Sequence, residues 1–235
     1  MSEYIYNKPY ILRSVPNERD DFIFINPYTH SVSMLDNGWT LPCKFPEGDN
    51  RNNLKPDTDP KDYDLTFTSP IPLERLLTYD FAPDTHLIVN NKVLKVLYEI
   101  CPDDFQVFPV KIISDPEKKL QPYECNDYVL INITRVIDCI DYKKSICEYK
   151  KNLKGLFHCM SAIDHVDKVF LKPTDEKFFI GCVEEGYTTS KIISQEFLDI
   201  IIKEKWKGPH VYCDYAWANI NDLTPVYPAP KQKNR

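Results

Sequence analysis

The sequence predicts an α+β protein with mixed, mostly antiparallel sheets, two amphipathic helices and a long irregular N-terminal third. Short apolar runs bounded by Asn, Asp and Pro predict the strands. Two segments that begin with a capping residue and then show apolar side chains at helical spacing predict helices at about 90–100 and 195–205. The first third is rich in proline, Asp and Asn, which favours irregular structure.

Composition excludes several classes of protein. The 235 residues are 43% hydrophobic, which is typical of a soluble globule rather than a disordered chain. The six glycines lie far apart, so no glycine loop for a nucleotide can be written. No apolar run reaches the length of a membrane-spanning helix, and the N-terminus does not resemble a signal peptide. The eight cysteines form no CxxC pair, so we expect small buried hydrophobes, and no cofactor is predicted.

The N-terminal elements are predicted to be short. Asp21–Asn26 has the pattern of a strand, residues 42–64 that of a long surface loop, and Leu73–Leu77 that of a helical turn. His86–Val89 follows as a strand. Asn90 is then a suitable N-cap for the first amphipathic helix, which Pro102 ends.

Strands dominate the rest of the predicted chain. Pro109 interrupts the strand Phe105–Ile113, which favours an edge strand or a bulge. Ser194 caps the second helix, Gln195–Lys205, which stops before Gly208. The remaining predicted strands are Asp127–Ile133, Val136–Ile140, Asp164–Leu171, Lys177–Val183 and one around Val211–Tyr212. The predicted regions are an irregular β-rich region at 1–79, an α+β domain at 80–221 and a loose, proline-rich basic tail at 222–235.

The two helical segments are similar at a constant offset of 104 residues. Leu87–Tyr98 aligns with Lys191–Ile202, and both stretches give an apolar pair, an N-cap, a polar pair and an amphipathic helix before a strand. This similarity indicates either an internal repeat or two independent helices that obey the same local rules.

Charge is unevenly distributed along the chain. Residues 17–127 carry a net charge of −9, whereas residues 128–235 carry +2, so direct binding of nucleic acid is not expected. The acidic stretch is either a solvated loop or a surface that attracts a basic protein. Carboxylates beside aromatic side chains are the predicted contacts: first Asp57, Asp59, Asp62, Tyr63 and Asp64, then Asp103, Asp104 and Phe105.

No local motif supplies a nucleophile with a base. The one enzyme-like pattern is Asp138 or Asp141 followed by Glu148 and Lys150, which could hold a divalent cation in a metal-dependent hydrolase. Acid-x-Lys recurs elsewhere in the chain, so the pattern has low specificity. The alternative is structural: Asp141 opens a turn, and Ser145 hydrogen-bonds to its backbone.

Several segments together resemble the Imm11 family of bacterial toxin-immunity proteins. The resembling segments span roughly residues 80–213 and run from His86–Leu97, Phe105–Val110, Tyr128–Ile133 and Val136–Ser145 to Ile193–Leu198 with Lys207 and Gly208. The sequence departs at Asn90, where the family pattern more often has serine. The resemblance implies a non-enzymatic cytoplasmic protein that neutralises a cognate toxin, often suspected to be a nuclease, and it assigns no catalytic residue and no oligomeric state.

Overall fold

A computed structural model describes residues 8–13, 24–25, 65–84, 86–135, 137–141, 143–149, 163–185, 188–213, 215–216 and 225–228. The helices in these ranges are α1 (Leu73–Leu76), α2 (Asn91–Ile100) and α3 (Gln195–Glu204). The strands are β1 (Tyr10–Arg13), β2 (Phe24–Ile25), β3 (Leu65–Ser69), β4 (Ile88–Asn90), β5 (Phe105–Ser114), β6 (Glu124–Cys125), β7 (Tyr128–Ile133), β8 (Ile146–Tyr149), β9 (Ile163–Val169), β10 (Ile180–Glu185), β11 (Thr188–Ile193), β12 (His210–Tyr212) and β13 (Tyr215–Ala216).

These strands form three hydrogen-bonded sheets, and the predicted α+β class is confirmed. The largest has the order β2-β3-β5-β7-β4, with β6 paired to β5, and the second has the order β10-β11-β1-β12. The third has the order β13-β9-β8. All pairings are antiparallel except that of β3 with β5.

Both predicted amphipathic helices and both predicted N-caps are confirmed. The Asn90 side chain accepts hydrogen bonds from the amides of Lys92 and Val93, each at 3.1 Å. The Ser194 hydroxyl accepts one from the Phe197 amide at 3.2 Å. These caps satisfy amide groups that the first turn of a helix leaves without a partner.

The strand that contains Pro109 is central, so the prediction of an edge strand is wrong. β5 pairs with β7 from Phe105 to Pro109 and with β3 from Val110 to Ser114. Pro109 is the last residue that pairs with β7 and precedes the first that pairs with β3. A residue without an amide hydrogen is tolerated here because only one neighbouring strand faces it.

Two other predictions are corrected by hydrogen bonding. Within the predicted strand Val136–Ile140, the described residues 137–140 form no strand: Ile137 donates its N–H to the Cys182 carbonyl at 2.9 Å, and Ile140 forms an isolated bridge with Leu171. The predicted tail is anchored in part, because Val226 donates to the Val211 carbonyl at 2.7 Å and the Tyr227 hydroxyl donates to the Trp206 carbonyl at 2.6 Å. The boundaries of the three predicted regions stay predictions.

The predicted internal similarity extends to the sheet topology. In the first unit, β4 and β5 flank the antiparallel strand β7, and α2 connects them. In the second unit, β11 and β12 flank the antiparallel strand β1, and α3 connects them. Each is a split β-α-β unit, in which a third strand lies between the two that the helix joins.

The residue registers of the two units match at the same offset of 104. In the first unit, Ile88 and Phe108 both lie opposite Leu130. In the second, Ile192 and Tyr212 both lie opposite Ile11. The offset therefore holds from the first strand, through the helix, to the second strand without an insertion or deletion. This agreement favours a structural repeat over two independent capped helices.

One hydrophobic core joins the two units. Val93 and Leu97 of α2 and their equivalents Phe197 and Ile201 of α3 are buried in the same cluster, which also contains Trp206. Each helix thus covers its own sheet and contributes equivalent side chains to shared packing.

Candidate functional site

The two predicted contact clusters have different outcomes. Asp57, Asp59, Asp62, Tyr63 and Asp64 lie outside the described residues. Asp103, Asp104 and Phe105 form the connection from α2 to β5, and only Asp103 is exposed. Phe105 is 7% exposed and belongs to the core of the first unit, so it is not a surface aromatic. The roles of all eight residues in binding a partner stay predictions.

Asp104 is held inside the molecule by Arg135. The Arg135 guanidinium donates to the Asp104 carboxylate at 3.2 Å, to Glu176 at 2.8 Å and to the Lys177 carbonyl at 2.6 Å. Burial alone would lower the pKa of Arg135, but the bonds to Glu176 and Asp104 outweigh it and raise the pKa. The positive charge of Arg135 offsets the negative charge of Asp104, so Asp104 attracts a basic partner less strongly. Asp103 is therefore the exposed carboxylate of this cluster.

Tyr98 is the aromatic side chain that the sequence analysis did not identify. It is 52% exposed at the end of α2, and its ring lies 5.3 Å from that of Phe105 between centroids. Tilted aromatic pairs at this separation are favourable. Tyr98 therefore packs on Phe105 and leaves about half of its side chain exposed to solvent next to Glu99. The helical spacing of α2 could have indicated it, since position 98 lies on the exposed side of the stripe.

Burial controls the chemistry of the cysteine behind this cluster. Burial, and then the negative charge of Asp104, raises the pKa of the Cys101 thiol to about 12. A thiol with such a pKa is a poor nucleophile at neutral pH because almost none of it is ionised. Cys125, Cys139 and Cys182 are also buried, which confirms the expectation of small buried hydrophobes for these residues, whereas Cys213 is partly exposed.

The residues of the alternative metal site are occupied in other ways. Asp138 is 71% exposed and lies 3.4 Å from the Lys172 ammonium. Asp141 accepts the amides of Lys143 and Lys144 at 3.2 Å, and Ser145 donates to its carbonyl at 2.8 Å. This confirms the structural interpretation of Asp141 as the residue that opens a turn.

The rest of that alternative site is only partly visible. Glu148 lies on β8 opposite His165, and Lys150 is outside the described residues. Within the ranges that the structure describes, no three His, Cys, Asp or Glu side chains are grouped as a metal site would require. Nor does any helix there have the length and apolar character needed to cross a membrane.

The outer surface of the two helices carries several exposed charged side chains. α2 and α3 run antiparallel, because Lys92 at the start of α2 lies 3.9 Å from Glu204 at the end of α3. Asp80 reinforces this junction: its carboxylate accepts the Asn90 side chain at 3.0 Å and the Lys207 amide at 2.9 Å. The start of α2 and the end of α3 are therefore joined by hydrogen bonds.

Comparison with known proteins identifies the family. A search of curated proteins gives no match to this chain. The model of the immunity protein family (Imm11) matches residues 30–211, more than three quarters of the sequence. This range includes all of the first unit, together with α3 and most of the two outer strands of the second. The chain therefore belongs to the Imm11 immunity protein family.

Proposed function

We propose that this protein neutralises one cognate bacterial toxin by binding it in a stoichiometric complex. The observation that carries this proposal is the family match over residues 30–211, because an immunity role is a property of the family. On this proposal the chain transforms no substrate. It acts in the cytoplasm of the cell that makes the toxin, where the toxin domain would otherwise reach its target.

The charge distribution supports a toxin with a basic active surface, such as a nuclease domain. The excess of acids between residues 17 and 127 gives the N-terminal half a negative field that a basic protein would meet first. The acidic loop with Asp57, Asp59, Asp62, Tyr63 and Asp64 is the proposed primary contact, and Asp103 with Tyr98 is a second. Direct occlusion of the toxin's active site is favoured over allosteric inhibition, since a nuclease binds phosphate through the same basic surface.

The function is tested by co-expression with the polypeptide encoded immediately upstream, the candidate toxin. We expect growth to be rescued by this chain and the two proteins to form a 1:1 complex on sedimentation. Continued growth arrest, in cells where both proteins are soluble, would contradict the proposal.

The acidic loop is tested by association kinetics. Changing Asp57, Asp59, Asp62 and Asp64 to Lys should slow association with the toxin at least tenfold at low salt and flatten its salt dependence. A control with the exposed residues Glu74, Glu117, Glu124 and Asp175 changed to Lys alters the net charge equally. Equal slowing in both variants would show that only net charge matters, and an unchanged rate would remove the loop from the interface.

Two measurements distinguish the proposed binding function from the alternative of a metal-dependent hydrolase. A cation that binds the native state must raise the melting temperature, so we expect no shift with Mg²⁺ or Mn²⁺. Turnover of a nucleic-acid or ester substrate that is lost in Glu148→Gln would contradict the binding proposal and support the hydrolase.

A further inference from the structure

The two helices carry opposite charges at equivalent positions. Four pairs of positions related by the offset of 104 are charged in both units: Lys92 and Glu196, Lys95 and Asp199, Glu99 and Lys203, and Asp103 and Lys207. The sign is reversed in every pair, and all eight side chains are exposed. Apolar positions of the same helices show no such contrast, since Leu94 and Leu198 are the same residue and Leu97 and Ile201 are both buried aliphatic residues.

Because the helices are antiparallel, this reversal separates the charges across the face. Lys92 and Lys95 lie at the same end as Lys203 and Lys207, where Asp80 joins the start of α2 to the end of α3. The end of α2 and the start of α3 are linked through Arg135. Its guanidinium binds Asp104, which follows α2, and the Lys177 carbonyl. Two residues after Lys177, the Phe179 carbonyl accepts a hydrogen bond from the amide of Ser194, the N-cap of α3. We call these the basic end and the acidic end; the acidic end carries Glu99, Asp103, Glu196 and Asp199.

The charges of α2 do not serve the stability of that helix. A helix dipole favours acids in the first turn and bases in the last. α3 follows this rule with Glu196 and Lys203, whereas α2 has Lys92 in its first turn and Glu99 near its end. The charge order of α2 therefore opposes its own dipole, which is expected when the charges are selected for an interaction outside the helix.

Apolar side chains lie between the two charged ends. Tyr98 and Ile202 occupy equivalent positions and are 52% and 48% exposed. They are two of the four large hydrophobic side chains that are exposed in the described part of the chain. In each helix this side chain precedes a charged residue, Glu99 or Lys203, so a partner bound to this face would cover apolar surface together with charges.

We propose that this face, the outer surface of α2 and α3, binds the same face of a second copy of the protein in the absence of toxin; because the face includes Asp103, a toxin bound there would displace that copy. The two copies are related by a two-fold axis that lies in the plane of the interface, perpendicular to both helices. Each helix of one copy then packs antiparallel on the same helix of the other copy. Lys95 of one copy then lies opposite Glu99 of the other, and Lys92 opposite Asp103. In α3, Asp199 faces Lys203 and Glu196 faces Lys207. Every charged position of the four pairs meets an opposite charge, so the face is its own complement, as a closed dimer requires.

The dimensions of the face predict a weak dimer. Each helix has ten residues and is about 15 Å long, and packed helices lie about 8–10 Å apart. Such a patch is smaller than the interfaces of stable complexes, which bury more than about 1,000 Å² in total. We therefore expect dissociation in the micromolar range or above, and strong weakening by salt because most contacts are between exposed charges.

Sedimentation of paired charge-reversal variants tests the proposal. In Lys92→Glu/Lys95→Glu the α2 face becomes wholly acidic, and in Glu99→Lys/Asp103→Lys it becomes wholly basic. Each variant alone should dissociate at least tenfold more readily than the unchanged protein at 50 mM salt. An equimolar mixture should associate again, because an acidic α2 face then meets a basic one. The control Lys118→Glu/Lys119→Glu makes the same change of charge at exposed positions away from the helices and should leave association unchanged.

The remaining outcomes contradict the proposal. A protein that is monomeric at 50 mM salt and several hundred micromolar does not use this face for itself. Variants that associate as before, or a mixture that stays dissociated, would show that the proposed pairing is wrong. If the chain is monomeric and the reversals instead abolish binding to the upstream toxin, the face belongs to the toxin. Circular dichroism of each variant establishes that it is folded.

Discussion

The two split β-α-β units have the same topology, but the connection that follows the helix is held in place by different interactions in each unit. In the first unit α2 is followed by Cys101, which has φ of −153° and ψ of 55°, and Arg135 forms an ion pair with Asp104 three residues further on. In the second unit α3 ends at Lys205 in the left-handed conformation, and the buried Trp206 packs on Phe81 and Phe197. One connection is fixed by charge and the other by aromatic packing. Equivalent substitutions in the two units should therefore have unequal costs.

The central strands differ as well. The first unit takes β7 from the chain that directly follows it, whereas the second takes β1 from the N-terminus, almost 180 residues away. The family match begins at residue 30, after β1. The second unit therefore depends on a strand that lies outside the matched region, and its integrity requires a long-range contact that the first unit does not need.

Removal of β1 should produce the largest difference in stability between the two units. Deleting residues 1–13 removes the central strand of the second sheet, in which Ile11 and Leu12 are each 1% exposed. Loss of two buried aliphatic side chains and both hydrogen-bonded ladders should cost about 5 kcal/mol or more, close to the whole stability of a domain. Hydrogen exchange should show lost protection in β11, β12 and α3 before β4, β7 and α2. Equal protection in both units would show that β1 is dispensable.

Substitutions at Trp206 and at its equivalent, Pro102, should show the second-largest difference in lost stability. Trp206 is 1% exposed and contacts two aromatic rings, so Trp206→Ala should destabilise the protein by about 4 kcal/mol. Pro102 is exposed, and Pro102→Ala should change stability by less than about 0.5 kcal/mol. Urea denaturation measures both. Similar losses would mean that the two connections carry equal packing.

Gly208 and its equivalent, Asp104, contrast backbone strain with an ion pair. Gly208 has φ of 104°, and an added Cβ would lie 2.0 Å from the Phe81 carbonyl oxygen. Gly208→Ala should therefore cost about 3 kcal/mol, because the main chain must move. Asp104→Ala removes one partner of Arg135 and leaves Glu176, and should cost about 1 kcal/mol. Thermal melts of both variants measure which one loses more stability. A larger loss in Asp104→Ala than in Gly208→Ala would contradict this interpretation.

The smallest difference is expected at the two N-caps. Ser194→Ala should cost about 1 kcal/mol, and Asn90→Ala slightly more, because Asn90 also donates to the Asp80 carboxylate. Asn90→Ser should recover most of the loss, whereas Ser194→Asn should not, because Ser194 is fully buried and has no room for the larger side chain; urea denaturation of all four variants decides it. If Asn90→Ser is as unstable as Asn90→Ala, the bond to Asp80 outweighs the cap itself.

Local patterns allowed the helices to be predicted to within one residue. Asn90 and Ser194 were identifiable because a cap and the apolar spacing after it depend only on neighbours in sequence. β1 and β3 were not predicted, since each pairs with a strand that is distant in the chain. The repeat was visible at an offset of 104, but its central strands were not, because β7 and β1 follow a different order and have no common offset.

The candidate contacts show the same limit. Asp103, Asp104 and Phe105 are adjacent in sequence, yet the first is exposed, the second is paired and the third is buried. Adjacent positions point in different directions, so a run of suitable residue types does not define a surface. Tyr98 reaches the same region from the last turn of α2, where its ring packs on that of Phe105.

Titration of toxin activity with the purified chain tests the central claim, that this protein acts by stoichiometric binding. The toxin is the candidate used in the co-expression test, and its residual activity is measured against molar equivalents of this chain. The account predicts a linear fall that reaches zero at one equivalent of folded protein. Complete loss of toxin activity at a small fraction of one equivalent would indicate catalytic inactivation, and full activity at excess would show that the toxin is not neutralised.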